Sequence, residues 1–362
     1  MCLDTQADVT RQNASLDTVL AEITRRSVLA DLGETDLSAD ITALLNAGML
    51  SRLTAACLPG GATADATHLL RAIGRANLAV GRWVEGHVNA RVLIALYGSV
   101  QQRERAMSHE QLHGVWAADG DWPVRIVESR NGMAQLSGHK VFCSGLGLVQ
   151  QAVVTAQAGD AGPQMLLIET TDAARAHPAE WQVSGMRATC SGRFDLTGLQ
   201  ADYLGQPGDY LREPHFEGGI WRYLALHVGG LEALAEETRQ RLGARAEQPL
   251  QAARLVELAI ATQGARLWLE AAAQSVTAPG AEGAGPFNVP RVLLARQAIE
   301  TACQQGIALA ERALGTRAFV RGDRIDLLRR DLAFFLRQAD LDGKMLRTAK
   351  ALIHSDMAFG DL

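Results

Sequence analysis

The sequence predicts an α+β protein in three parts: an N-terminal helical domain (1–112), a central antiparallel β-sandwich or barrel (113–210) and a C-terminal four-helix bundle (211–362). Apolar residues recur with the helical period of about 3.6 up to about residue 110. From about 113 to 203 the period changes to about 2 and glycine becomes dense. The helical period returns at about residue 217 and persists to the C-terminal part. Such an order indicates separate layers, each of which buries its own apolar face.

Composition and charge exclude several classes of function. The chain has 362 residues and a formal net charge of −5 without a basic cluster, which argues against a nucleic-acid partner. Its five cysteines are scattered without CxxC or Cys/His spacing, so we expect neither a disulfide framework nor a metal site. No run of about 18 apolar residues is present, and the N-terminus lacks an apolar core with a basic flank. The sequence therefore predicts a cytoplasmic protein without a signal peptide or a membrane span.

The N-terminal part is predicted to form helices separated by glycine and proline. Val19 and Ile23 lie one helical turn apart, and Pro59-Gly60-Gly61 interrupts the pattern. Two longer helices are expected over about 65–80 and 85–97. The second helix carries a polar cluster, Glu85-Gly86-His87-Val88-Asn89. Because no further metal ligands follow at helical spacing, we interpret His87 as a structural residue.

The central part contains eight short runs that are typical of strands separated by turns. These runs are Gly114–Ala117, Val124–Glu128, Met133–Leu136, Lys140–Cys143, Ala152–Ala156, Gln164–Ile168, Trp181–Val183 and Gly192–Leu196. No GxGxxG follows a strand and no GxxxxGK[ST] is present. Neither a Rossmann fold nor a P-loop is therefore expected to hold a nucleotide.

Four long helices are predicted in the C-terminal part. Apolar stripes at helical spacing begin at Trp221 and Leu255, a third helix covers 292–313, and a fourth begins at Ile325. The proline-rich and glycine-rich stretch 277–290 is expected to be a loop between two of them.

The turn from Gly138 to Gly147 carries the clearest chemical signal in the chain. Gly138, Lys140, Phe142 and Ser144 are followed by Gly145, a pattern that predicts a tight corner between two strands. Such a corner lets the backbone approach a bound group while an aromatic ring and a hydroxyl point at it. An ordinary hairpin with Phe142 in the core is the alternative.

The order of domains and this turn together resemble the acyl-CoA dehydrogenase superfamily of flavoproteins, over roughly residues 15–340. The resemblance implies an FAD cofactor, with Phe142 beside the flavin ring, the hydroxyl of Ser144 near flavin N5, and Gly145 in the same turn. It also implies a homo-oligomer, a dimer or a tetramer, because in the family a neighbouring subunit completes the FAD site.

Three further positions resemble family cofactor contacts but depart from the usual residues. Trp116 begins the loop where the family has a flavin-binding threonine, and it could line a ring-shaped pocket or cap the β-domain core. Arg245 resembles the arginine that reaches the FAD pyrophosphate, although a surface arginine beside Glu247 is the alternative. Gly315 lies where the family's Gln-x-x-Gly-Gly contacts adenine, but Arg312 replaces the glutamine.

The catalytic base implied by the resemblance is not in its usual place. The family takes a glutamate from a Glu-Gly that follows an Arg-Asp pair, and here no Glu-Gly follows Arg330-Asp331. The nearest carboxylates, Asp340 and Asp342, are therefore the predicted catalytic residues. A minority of the family places the base before the arginine that matches Arg222, where this chain has Trp221.

Three functions follow from these observations. The resemblance implies an FAD-dependent oxidoreductase of fatty-acid metabolism that oxidises an acyl-CoA thioester at its α,β-carbons. The first alternative is a flavin-dependent monooxygenase, supplied with reduced flavin by a partner reductase, with His215 or His227 as candidate site residues. The second alternative is a non-catalytic binding or scaffold relative.

Overall fold

The computed structural model describes residues 15–108, 111–277, 287–338, 340–356 and 358–361. Within them the N-terminal part forms six helices. These are α1 (Leu16–Leu32), α2 (Ser38–Asn46), α3 (Met49–Cys57), α4 (Thr63–Ala76), α5 (Leu78–Tyr97) and α6 (Val100–Ser108).

Local capping sets the limits of the N-terminal helices. The hydroxyl of Ser15 accepts a hydrogen bond from the backbone N–H of Thr18, and Gly33 ends α1 with φ of 76°. Asn77 caps α5 by accepting from the backbone N–H of Ala79 at 2.9 Å. The two longer helices expected from the sequence are thus α4 and α5, and the break falls at Asn77.

Nine strands of the described residues form two sheets. They are β1 (His113–Trp116), β2 (Arg125–Arg130), β3 (Met133–Ser137), β4 (His139–Lys140), β5 (Gln151–Ala156), β6 (Gln164–Glu169), β7 (Ala176–His177), β8 (Arg193–Asp195) and β9 (Gln200–Leu204). The larger sheet has the order β1-β5-β6-β9-β3-β2 and the smaller one β4-β8-β7. Every pair is antiparallel except β1 with β5. The prediction of a central β domain is confirmed.

Two strand predictions fail in detail. The run Trp181–Val183 is not a strand, because a short 3₁₀ turn precedes it and the backbone N–H of Trp181 bonds to the carbonyl of Pro178. The strand predicted to run to Cys143 stops at Lys140, because Phe142 adopts φ of 54°, which a strand does not allow.

A buried lysine holds the end of β4 against the larger sheet. Lys140 is fully buried, and its Nζ donates to the carbonyl of Ala117 at 3.0 Å and to Thr155 Oγ1 at 3.0 Å. It also lies 2.6 Å from Asp119 Oδ1, which supplies the opposite charge. The turn that follows Lys140 is therefore anchored at its start.

In the described residues, the C-terminal part contains the predicted four helices and one more. They are α7 (Trp221–Leu242), α8 (Pro249–Thr277), α9 (Asn288–Leu314), α10 (Arg324–Phe335) and α11 (Leu341–Ile353). Most of the predicted loop at 277–290 lies outside the described residues. Among the described residues, no helix combines the length and apolar character needed to cross a lipid bilayer.

Helices α4 and α7 cross with their backbones in contact. A Cβ on Gly74 would lie 2.6 Å from the carbonyl oxygen of Leu226, and one on Gly229 would collide with the carbonyl of Arg71. The two glycines are needed for this close approach. The crossing joins the N-terminal helices to the bundle through one continuous hydrophobic core.

Charged residues fix the β domain to the helices. Asp31 of α1 lies 2.6 Å from Arg187 and 2.7 Å from Arg330 of α10. The neighbouring Asp331 accepts a 2.6 Å hydrogen bond from the backbone N–H of Met186. The predicted boundaries near residues 112 and 210 stay a prediction, since this contact and the shared core cross them.

Candidate functional site

The turn after β4 is held from both sides by backbone hydrogen bonds. The N–H of Cys143 donates to the carbonyl of Gly192 at 2.9 Å, and that of Gly145 donates to the carbonyl of Thr189 at 3.0 Å. Gly145 has φ of 81°, and a Cβ there would lie 2.7 Å from the ring of Trp83 on α5. Glycine is thus needed at this position both for its conformation and for the close approach of α5.

Ser144 lies at the end of a short chain of hydroxyl groups. Its Oγ accepts from Ser191 Oγ at 3.3 Å, and the hydroxyls of Ser191 and Thr189 are 2.8 Å apart. Thr189 in turn donates to the carbonyl of Met186. A hydroxyl both donates and accepts, so Ser144 can offer its proton to a bound group.

Phe142 points away from the β-domain core. Its side chain is 62% exposed, and its ring meets Trp181 edge-on at 6.0 Å between centroids. Trp181 meets Phe334 of α10 in the same way at 5.6 Å. The alternative of a core Phe142 is therefore wrong, and the ring is presented at the boundary between the β domain and α10.

Trp116 lies inside the β domain, behind the turn. It is 2% exposed, packs against Phe194 with ring centroids 5.2 Å apart, and donates from Nε1 to the carbonyl of Ser144 at 3.1 Å. This is the position of a core residue that also supports Ser144. Whether Trp116 contacts a cofactor stays a prediction.

A small cavity of about 10 Å³ lies between α5 and the turn, which is close to the space that one water needs. The residues that line it are Arg82, Trp83, Gly86, His113, Gly114, Val115, Trp116 and Ser144. No carboxylate is among them.

Two buried histidines lie at this cavity, and one of them, His113, lines it. The ring of His87 stacks on Trp83 at 5.6 Å, and its Nδ1 accepts a 3.0 Å hydrogen bond from the backbone N–H of His113. Burial lowers the pKa of His87 to about 3 and that of His113 to about 4, so both are neutral near pH 7. The accepted hydrogen bond places the proton of neutral His87 on Nε2.

The sequence interpretation of His87 as structural did not anticipate this position. The i, i+4 spacing of Trp83 and His87 places both side chains on one face of α5. This spacing was the signal in the sequence from which a contact between the two rings could have been predicted. Nothing in the sequence indicated that this face meets β1.

The predicted catalytic carboxylates lie elsewhere. Asp340 and Asp342 are exposed, and no described contact joins either of them to the turn. Asp340 Oδ2 lies 2.9 Å from Arg347, and this hydrogen bond lowers the pKa of Asp340. Arg347 also pairs with the buried Glu217. A catalytic role for the two aspartates stays a prediction.

The two remaining cofactor predictions lie at the far ends of bundle helices. Arg245 follows α7, and its Nη2 is buried without a hydrogen-bond partner among the described residues. Gly315 ends α9 with φ of 62°, and Gln251 at the start of α8 bonds to the neighbouring carbonyl of Ala313. No described contact joins either residue to the turn, so these assignments stay predictions too.

The candidate histidines of the C-terminal part differ in environment. His227 of α7 is buried in the bundle against Phe335, with ring centroids 4.6 Å apart, and burial lowers its pKa to about 3. His215 is half-buried before α7. Neither residue lines the cavity beside Ser144.

Comparison with known proteins supports the fold assignment. No protein-family model matches the chain. A dibenzothiophene monooxygenase of Rhodococcus erythropolis is 26% identical over 212 residues, which cover 50% of this chain and 51% of that protein. The chain thus spans about half the length of the curated relatives it matches.

Two solved structures superimpose on nearly the whole chain. FMN-bound TdsC from Paenibacillus sp. A11-2, a dibenzothiophene monooxygenase, has a TM-score of 0.76 at 18% identity and covers 93% of this chain and 95% of its own. Butyryl-CoA dehydrogenase from Megasphaera elsdenii has a TM-score of 0.75 at 14% identity, with 94% and 100% covered. The chain has the acyl-CoA dehydrogenase fold, as the sequence predicted.

Proposed function

We propose that this chain, which has the acyl-CoA dehydrogenase fold, is a flavin-dependent monooxygenase. The observation that carries the proposal is the chemistry around Ser144. Neither predicted base, Asp340 or Asp342, has a described contact with it, and the water-sized cavity beside it is lined by an arginine, an imidazole and two indoles. Likeness to the dibenzothiophene monooxygenase supports the same choice.

Oxidation of an acyl-CoA at its α,β-carbons needs a carboxylate above the substrate α-carbon. The closest carboxylate along α5 is Glu85, and it is already 2.6 Å from Arg82 Nη1. Asp340 and Asp342 are on the surface, and Asp340 is bound to Arg347. A monooxygenase has no need of this base, which fits the surface position of both aspartates.

The residues of the turn fit a flavin ring. Phe142 presents an exposed ring and Ser144 offers a hydroxyl donor, while Gly145 lets Trp83 pack closely behind the turn. Elsewhere, the orphaned Nη2 of Arg245 fits a phosphate oxygen. Reduced flavin, when bound, supplies the electrons that activate O₂. Trp83 and Trp116 are buried and cover the side of the turn that faces α5.

We propose FMN rather than the FAD first expected. The residues that would contact adenine in the family are replaced here, since Arg312 and Thr316 stand for its glutamine and second glycine. The FMN bound to TdsC supports this choice. A homo-oligomer and a separate flavin reductase as partner complete the proposal.

The test is oxygenation with labelled O₂. The purified protein is mixed with reduced FMN and ¹⁸O₂ in the presence of dibenzothiophene or indole, and products are analysed by mass spectrometry. Incorporation of ¹⁸O that depends on the protein supports the proposal. Anaerobic bleaching of bound oxidised flavin by butyryl-CoA overturns it in favour of dehydrogenation.

Two variants of one residue sharpen the test. Ser144→Ala should lower the oxygenation rate about 10- to 100-fold because the donor to the flavin is lost, while Ser144→Thr should retain most of the rate. Failure of the protein to take up FMN or FAD would overturn the proposal and support a non-catalytic relative.

A further inference from the structure

The interface between α5 and α7 contains a buried cation without a counter-charge. Three cationic side chains are buried among the described residues: Lys140, Arg222 and Arg296. Lys140 lies 2.6 Å from Asp119, and Arg296 lies 2.8 Å from Glu300. Arg222, which is 6% exposed, has no described carboxylate oxygen within 4.0 Å. Burial of a charge in this way is unfavourable unless a partner compensates it.

The contacts of Arg222 leave part of its guanidinium without an acceptor among the described residues. Its Nη2 donates to Asn89 Oδ1 at 2.8 Å, and Asn89 is a neutral acceptor. Its Nε is buried and has no acceptor among the described residues. The guanidinium lies against Gly219, where a Cβ would come within 2.6 Å of Nη2. The absence of a side chain at Gly219 makes room for this placement.

Arg222 is connected to the cavity beside Ser144 through one face of α5. Arg82, Glu85 and Asn89 are spaced i, i+3 and i+7 and therefore lie along one stripe of that helix. Arg82 lines the cavity, and Asn89 binds Arg222. At a rise of about 1.5 Å per residue, the stripe spans about 10 Å from Arg82 to Asn89. Glu85 is neutralised by Arg82, so the positive charge of Arg222 remains.

We propose that Arg222, supported by Asn89, binds an anionic group, a carboxylate or sulfonate, on the substrate of the proposed monooxygenase. The oxidised part of the substrate then lies beside the turn that carries Phe142 and Ser144, towards the Arg82 end of α5, about 10 Å along the helix from Asn89. A planar guanidinium whose Nε has no acceptor, and whose Nη2 carries a second N–H, matches the two oxygens of such a group. This proposal rests on the proposed function, because it names the substrate class of the same site.

The test compares two probes that differ only in charge, 4-phenylbutanoate and 4-phenylbutanamide. Binding to the FMN-loaded protein is followed by the change in flavin absorbance, and binding to the protein with and without FMN by thermal shift. The wild type should bind the carboxylate at least 10-fold more tightly than the amide. Equal binding of the two probes, or no binding of the carboxylate, would overturn the proposal.

Variants on one helix assign the effect to Arg222. Arg222→Met should abolish the preference for the carboxylate, and Arg222→Lys should retain part of it. Arg239→Met is the matched control, because Arg239 lies on the exposed face of α7 and pairs with Glu236. A preference that survives in Arg222→Met sinks the assignment. If that variant does not fold, Arg222→Lys decides, because a carboxylate preference equal to that of the wild type would overturn the assignment.

The outcome is separable from that of the proposed function. Oxygenation with ¹⁸O₂ is measured on the same preparations. A protein that prefers the carboxylate but oxygenates nothing refutes the monooxygenase and leaves an anion site. A protein that oxygenates neutral probes and ignores the carboxylate refutes only the anion site.

Discussion

The backbone N–H of His113 donates a 3.0 Å hydrogen bond to Nδ1 of His87. This bond joins the first residue of β1 to the middle of α5 and fixes which nitrogen of the imidazole is protonated. His87 in turn supports the ring of Trp83, which covers Gly145. His87 is therefore a positioning residue for the turn.

Removal of the acceptor at residue 87 should destabilise the protein. His87→Leu leaves the buried N–H of His113 without a partner, which costs about 1–3 kcal/mol. His87→Gln keeps an acceptor and should cost less. The free energy of unfolding, measured with urea, distinguishes the two variants, and equal losses would show that the hydrogen bond is unimportant.

Buried histidines should make the protein less stable in mild acid. The pKa of His87 is lowered to about 3, of His113 to about 4 and of His227 to about 3. Below pH 6.5 the unfolded state binds protons that the folded state does not, so stability is lost as the pH falls from about 6.5 towards 4. The melting temperature of His87→Gln should fall less steeply than that of the wild type. Parallel curves would contradict this prediction.

Asp331 should act in the opposite direction. Burial raises the pKa of Asp331 to about 7, and the like charge of Asp31 adds to this effect. The hydrogen bond from Met186 and the nearby Arg330 and Arg187 lower the pKa, but by less. The folded state then holds a proton that the unfolded state has released, so stability falls as the pH rises from about 4 to 7. Asp331→Asn keeps the acceptor for Met186. The melting temperature of Asp331→Asn minus that of the wild type should increase from pH 5 to pH 8. A difference that stays constant over this range would contradict the prediction.

Asp340 and Asp342 distinguish the two oxidoreductase functions. If the chain is a monooxygenase, Asp340→Asn and Asp342→Asn should change the turnover rate by less than about twofold. Loss of a true general base would lower it by about 10²- to 10⁴-fold. Steady-state rates of the purified variants give the answer, and a large loss in either variant would restore the dehydrogenase prediction.

The crossing of α4 and α7 offers a test of the fold with a matched control. Gly229→Ala places a Cβ against the carbonyl of Arg71, so it should destabilise the protein by about 1–3 kcal/mol or more. Gly264→Ala on α8 meets nothing within 4 Å and should stabilise it by about 0.5–1 kcal/mol. Thermal unfolding of both variants should show a lower melting temperature for Gly229→Ala and a higher one for Gly264→Ala than for the wild type.

The turn itself was predictable from its residues, because glycine, a hydroxyl and a short polar-apolar alternation encode conformation locally. Its surroundings were not. The sequence could not show that Trp181 pairs with Phe142, since Trp181 lies in an extended run that local pattern alone assigned to a strand. The sequence also could not show which face of β1 carries Trp116 towards the core. Strand alternation gives two faces and does not say which one is buried against β8.

The sequence by itself determined the order of the helical, β and helical parts, since hydrophobic period and capping residues act over a few neighbouring positions. It thereby also determined the fold. Tertiary structure alone decided that His87 meets His113, 26 residues away, and that Arg222 is buried beside Asn89 without a carboxylate. Such pairings depend on how distant segments pack, and charge compensation is a property of the packed site rather than of any stretch of chain.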